Sequence, residues 1–336
     1  MMEPSELPNR SVITIGELVV DWIATKKSAD WDEPDTFLRS AGGNAANVAH
    51  ALSRLGTNAR LVAKVGDDLH ANYLFSGLAA AGIDTTFVSR TSSFATAQCY
   101  VLTDQFDENL FYNWPKPNAC HQLTVADLSD QLFDGAVALH ATGISLTMEP
   151  RSSAVLEAMK RARKANLLVS FDAGFPTGEG AKARDKALEA MGLAHMIKVN
   201  LPELYYWLGE VEPCSDTAQL TQYAQMLRSQ TGAQVVLLTL GANGSIIASS
   251  DSYFAAPVKV DTLAAVGAGD AYVAFVLSRL ASGASLDLNW PQALTSDYFD
   301  WADIARSANA AGALATRTIS ASLGLPTLSE IEQLLK

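Results

Sequence analysis

Residues 261–272 read DTLAAVGAGDAY and run straight into VAFVLSRLASG (273–283), which is apolar almost all the way round. Gly267, Ala268 and Gly269 carry little beyond backbone, so successive N–H groups can approach a ligand closely. At a helix start such amides form a positive concavity suited to a phosphoryl group. Asp270 then has two readings. It is a general base taking the proton of an alcohol that attacks phosphorus, or a plain acid that caps the helix and favours its dipole.

Outward from this turn, strand-like and helical runs alternate. VITIGELVV (12–20) reads as a buried strand ending in a turn, NAANVAHALSRLG (44–56) as a helix closed by glycine, and ARLVAKVG (59–66) as the next strand. After about residue 136 the alternation resumes with AVALHATG, LLVSFDAG, AHMIKVN and QVVLLTLG as strands between helices. Between 86 and 114, TAQCYVLT and NLFYNW instead suggest an aromatic hairpin standing off the main body. Alternation of this kind predicts a mostly parallel sheet covered on both faces, with ligands beyond the carboxyl ends of its strands.

The 336 residues fit one large α/β domain with an excursion. With 49% hydrophobic and 18% charged residues the chain can bury a sizeable core. A formal charge of −12 argues against nucleic-acid partners, which need clustered Lys and Arg. No apolar run approaches the length of a membrane span. The three cysteines, Cys99, Cys120 and Cys214, are widely spaced and read as unpaired thiols. The opening MMEPSELPNR lacks the pattern of a secretory signal, so a cytoplasmic location is expected.

Neither G-x-x-x-x-G-K-[ST] nor a G-x-G-x-x-G after the first strand is present, which removes P-loop and dinucleotide-binding readings. Other turns offer binding chemistry. In AGGNAANVA, Gly42 and Gly43 precede a helix whose Asn47 supplies both donors and acceptors, suited to a polyhydroxylated ligand. Asp21 could accept sugar hydroxyls or be a solvated loop acid. Asn200 and Glu203 in KVNLPEL face one site over a helix start, as a hydrated Mg²⁺ shell or as an Asx turn with a first-turn glutamate. Thr239, Gly241 and Gly244 in TLGANGS border a nucleotide or form a hairpin turn. The five histidines show no metal-ligand spacing, and His140 reads as a core residue.

GELVVD, GGNAANVAHALSRLG, AKVGDD, VNLPE, TLGANGS, GAGDAY and ANAAGALATR, in this order, resemble the ribokinase (PfkB-type) family of carbohydrate kinases over nearly the whole chain. LHATGISLTMEPRSSAV followed by LVSFD is most similar to fructokinases. The resemblance implies an α/β, ribokinase-like fold with a small β lid from about 22–40 and 95–114 within a single domain, 1–336. It implies transfer of the ATP γ-phosphate to a sugar hydroxyl, fructose being favoured over another ketose, a nucleoside or an aminoimidazole riboside. A non-catalytic sugar or nucleotide sensor is the reading from a different class. Asp270 would be the base and Gly267, Ala268 and Gly269 the anion hole. Asp21, Gly42, Gly43 and Asn47 would hold the sugar under Phe111 of the lid. Asn200 and Glu203 would organise Mg²⁺ through water, while Thr239, Gly241, Gly244 and Asn309 would line the nucleotide pocket.

Four departures from the family pattern stand out. Ala173, Gly174, Phe175 and Pro176 replace the usual Pro-Asn-x-Arg after Phe-Asp, and Asn113 stands where an arginine usually follows the lid aromatics Phe111 and Tyr112. Asp261-Thr262 lie three residues early, leaving Ala264, Ala265 and Val266 before the glycine turn, and TRTISASLG lacks its usual glycine turn after Thr-Arg. In related kinases the last two segments hold a monovalent cation, so weak or absent K⁺ activation is expected. The flat aromatic lid edge also predicts a homodimer formed through it.

Overall fold

A computed structural model describes residues 10–27, 36–105, 109–112, 114–176, 181–209 and 211–336. The run 12–20 is not one strand. Its start, β1 (Ser11–Ile15), is fully buried in a large sheet, whereas β2 (Val19–Ala24) opens a second, smaller one. The Gly16-Glu17 break carries the chain from one sheet to the other.

The smaller sheet joins β2 to β3 (Phe37–Gly42), β6 (Gln98–Thr103) and β7 (Asn109–Tyr112) in the order β3-β2-β6-β7. Its register puts Asp21 beside Cys99 and Val101 beside Phe111, so Asp21 and Phe111 share a face, while Trp22, Tyr100 and Tyr112 line the other. Asn113, 28–35 and 106–108 lie outside the described residues.

The large sheet adds β4 (Asn58–Gly66), β5 (Val88–Thr91), β8 (Ala136–Thr142), β9 (Leu168–Asp172), β10 (Met196–Asn200), β11 (Val235–Thr239), β12 (Ser245–Ala248) and β13 (Ser252–Ala255). Its nine strands run β13-β12-β11-β10-β9-β8-β1-β4-β5, with β12 alone reversed, antiparallel to both its neighbours. Period-2 alternation splits the core in two. Val12, Leu61 and Ala63 face one helical layer, and Ile13, Ile15 and Val62 face the other. The first layer holds α1 (Asn44–Arg54), α2 (Leu69–Ala80), α7 (Ala268–Gly283), α8 (Trp290–Leu294), α9 (Trp301–Ala315) and α11 (Leu328–Leu334). The second holds α3 (Arg151–Lys164), α4 (Ala181–Leu193), α5 (Leu201–Leu208) and α6 (Thr217–Thr231). α7 is buried on nearly every side, as its composition requires.

The chain leaves β1 for β4 and β5 on one side and returns to β8 through β11 on the other, so the order reverses beside β1. Crevices form beyond the carboxyl ends of strands at such a point. Glu17, Asp172, Asn200 and Thr239 all lie at or just past those ends. No helix among the described residues is long and apolar enough to cross a membrane, and all three cysteines are free thiols.

Candidate active site

Asp270 does not cap its helix. Gly267 is the N-cap, in the left-handed region at φ 83°, and a Cβ there would come within 2.8 Å of the Ala321 methyl. This is a conformation that L side chains rarely adopt. Asp270, three residues on, lies in the first turn of α7 and is bonded to α1. It accepts a hydrogen bond of 2.8 Å from Asn47 Nδ2 and a longer one of 3.3 Å from Asn44 Nδ2. The first turn of α1 is thereby tied to the first turn of α7. Burial pushes the Asp270 carboxyl from 3.8 up to about 7, with Asn47 opposing and the nearby Asp172 carboxylate adding to the rise. A base that titrates near neutrality suits proton transfer from an alcohol.

α1 is entered through Gly43, at φ 97°, where a Cβ would lie 2.5 Å from the Glu17 carbonyl oxygen. A Cβ on the neighbouring Gly42 would overlap the Asp21 carboxylate. That close approach brings Asp21 of β2 beside the α1 turn, and burial raises its carboxyl to about 7. Asn47 Oδ1 is buried without a hydrogen-bond partner, leaving an acceptor beside Asp270. Asp21, Gly42, Gly43, Asn47 and Asp270 therefore converge, while Phe111 stands on the lid, 56% exposed.

Asn200 and Glu203 form a capping box at the start of α5. Glu203 Oε2 accepts from the Asn200 backbone N–H at 2.7 Å, Oε1 accepts from Asn200 Nδ2 at 2.9 Å, and Asn200 Oδ1 accepts from Glu203 N–H at 2.9 Å. Each Glu203 oxygen keeps a lone pair, so the pair could hold a hydrated Mg²⁺ through water. Thr239 ends β11, and Gly241 and Gly244 bracket the turn that follows. Asn309 of α9 donates to Ala255 O (2.9 Å) and Ala256 O (3.0 Å), the segment on which Gly244 also presses. Its amide protons thus brace the wall of that region rather than standing free.

Three groupings escaped sequence reasoning. Lys198 Nζ lies 2.9 Å from Asp172 Oδ2, both nearly buried. Its signal was a lysine inside the strand MIKVN, because a buried lysine requires a partner. Arg151 and Glu17, both inaccessible, pair at 3.1 Å, with Ser145 Oγ donating to Glu17 at 2.9 Å. Ser40 of β3 bonds Ser320 (2.6 Å) and Ser322 (2.9 Å), linking the small sheet to α10 (Ala321–Gly324), whose Ala321 presses on Gly267. His140 is half satisfied, through Ser170 Oγ at 3.0 Å.

Asp261 and Thr262 are exposed, and Leu263 and Ala264 donate backbone N–H groups to Thr316 O at 2.8 and 3.1 Å. In the stretch that replaces Pro-Asn-x-Arg, Gly174 O accepts from Trp207 Nε1 at 2.9 Å and Phe175 meets Tyr206 edge-on.

A glycine turn that can wrap an anion, with a buried carboxylate behind it, has the chemistry for phosphoryl transfer to an alcohol, and a separate small sheet stands beside it. The model of the pfkB family of carbohydrate kinases matches residues 9–328, and the chain belongs to that family. It is 32% identical to Fructokinase-1 of Zea mays over 331 residues, 97% of each chain. The crystal structure of fructokinase from Xylella fastidiosa with bound ATP superposes with a TM-score of 0.83 at 29% identity, covering 98% of each chain. Fructokinase from Vibrio cholerae O395, bound to fructose, ADP and calcium, gives 0.79 at 25% identity, covering 98% of this chain and all of that one. The mostly parallel sheet, its helical layers and the separate small sheet are the ribokinase-like architecture of these kinases.

Proposed function

We propose that this protein phosphorylates D-fructose with ATP and Mg²⁺, giving fructose 6-phosphate. The observation that carries the reading is the Asn47–Asp270 hydrogen bond, which joins a sugar-type turn to a base at the anion-binding glycines. The sugar hydroxyl oxygen attacks the γ-phosphorus and its proton passes to Asp270. The bond from that phosphorus to the bridging oxygen breaks, and its electron pair leaves on ADP. Gly267, Ala268 and Gly269 present N–H groups to the transferring oxygens. Asp21, Gly42, Gly43 and Asn47 orient the sugar, and Phe111 closes over it. Thr239, Gly241, Gly244 and Asn309 border the nucleotide. Glu203 and Asn200 would hold Mg²⁺ through water, and the ion would supply charge neutralisation at the phosphates.

ADP release measured over a panel of ketoses, nucleosides and aminoimidazole riboside tests this, with fructose expected to show the highest kcat/KM. A nucleoside or riboside ahead of fructose would move the substrate, a live outcome because Pro176 stands where relatives carry an arginine. No turnover at all would favour a sensor, against which the base and glycine turn both speak.

The exposed position of Asp261 supports weak K⁺ dependence. At constant ionic strength, kcat in K⁺ is expected to match kcat in tetramethylammonium, and a saturable rise with K⁺ would overturn this. Leu110, Phe111 and Tyr112 on the edge strand β7 are exposed, which supports pairing of two lids in a homodimer. Sedimentation should show mass rising with concentration toward a dimer, and a clean monomer throughout would end that reading. The three free thiols support a reducing, cytoplasmic setting.

A further inference from the structure

Lys198 lies in the β10 register directly opposite Asp172 of β9. Its ammonium, bonded to that partner at 2.9 Å, also lies at the start of α7, where a Cβ on Gly269 would sit 3.1 Å from Nζ. A cation beneath a helix N-terminus is placed where the backbone is already positive, an arrangement that favours an incoming anion. We infer that Lys198, tethered by Asp172, is a positioning residue for phosphoryl transfer, the fixed cation of the anion hole and the charge partner of Asp270.

The surroundings make this pair the control on the base. Asn47 and Asn44 of α1 give Asp270 neutral donors, and the charges that reach it are Asp172 and Lys198, the first holding its proton and the second releasing it. Glu203 of α5 faces Lys198 rather than Asp270. His140 of β8, near both members of the pair, is pushed down to about 4 by burial and stays neutral. Tyr272, on the same helix as Asp270, donates to Ser245 at 3.0 Å and is raised to about 12 by burial. Burial works against the charge on Lys198, and the Asp172 and Glu203 carboxylates beside it favour that charge.

This inference rests on Asp270 being the base, and the experiment separates the two. kcat is followed against pH at saturating fructose and ATP, which removes the titration of Asp21 from the profile. Asp172→Asn should move the acid limb to lower pH, because the carboxylate that retains the Asp270 proton is gone. Lys198→Met should move the limb to higher pH and lower the plateau by about 10²-fold, the loss typical of one anion-hole group. Lys198→Arg should recover part of that plateau. Either single change strands a buried charge, so the neutral pair Lys198→Met with Asp172→Asn is included, and its limb should return toward wild type at a reduced plateau. Coincident limbs in all folded variants, or an undiminished plateau in the neutral pair, would overturn the inference. A folded Asp270→Asn enzyme that keeps its kcat would instead remove the base reading itself.

Discussion

Asp270→Asn is expected to lower kcat by about 10²-fold or more while KM for fructose moves little, because proton acceptance matters only in the transition state. The new amide keeps the shape of the carboxylate, and its oxygen can still accept from Asn47, so geometry is nearly preserved. Stability should move the other way. A carboxyl raised from 3.8 to about 7 binds its proton more tightly in the folded chain. Its stabilising contribution is complete below about pH 3.8 and is lost as pH rises through 7, a difference on the order of 4 kcal/mol at alkaline pH. Asparagine escapes that loss, so at pH 8 the variant should melt at or above wild type. For the same reason wild-type kcat should fall as pH drops below about 7, since only the ionised base accepts a proton. Steady-state kinetics with matched melting curves measure both effects. A folded variant with near-native kcat would reduce Asp270 to a structural acid.

Gly42→Ala should raise KM for fructose by about 10- to 100-fold, the range expected when one or two hydrogen bonds to a charged group are lost. No backbone strain is involved, because Gly42 lies outside the left-handed region. The methyl instead occupies the place of the Asp21 carboxylate, a short side chain with little room to retreat. If the effect runs through Asp21, Gly42→Ala and Asp21→Ala will be strongly non-additive, the double variant being scarcely worse than Asp21→Ala alone. Additive losses in that cycle would show that Gly42 serves the site in some other way.

Local pattern was enough for much of the architecture. Strand-like runs separated by glycine-closed helices specify a mostly parallel sheet between two helical layers, since burial on both faces leaves few other arrangements. VAFVLSRLASG had to lie in the core because nearly every side of it is apolar, and the glycines at 267 and 269 marked a turn able to wrap an anion. Period and composition are local quantities, so they survive without knowledge of the fold. They failed at 12–20, where the two strands read as one, because a run of apolar residues does not say which sheet will bury it.

Convergence was a tertiary matter. Asn47 and Asp270 are 223 positions apart, and only the packing of α1 on α7 brings amide to carboxylate. Register likewise set Lys198 against Asp172, turning an unexplained lysine in a strand into the cation beneath Gly269. Asn309 shows the same limit from the other side. Asn309 was named for its chemistry, but its bracing of Ala255 and Ala256, some fifty residues earlier, depends on the fold, whereas the Asn200–Glu203 capping box was one of the two readings the local sequence offered. Titration belongs to that level too, since burial, which no single residue carries in its own chemistry, is what moves Asp21 and Asp270 toward neutrality.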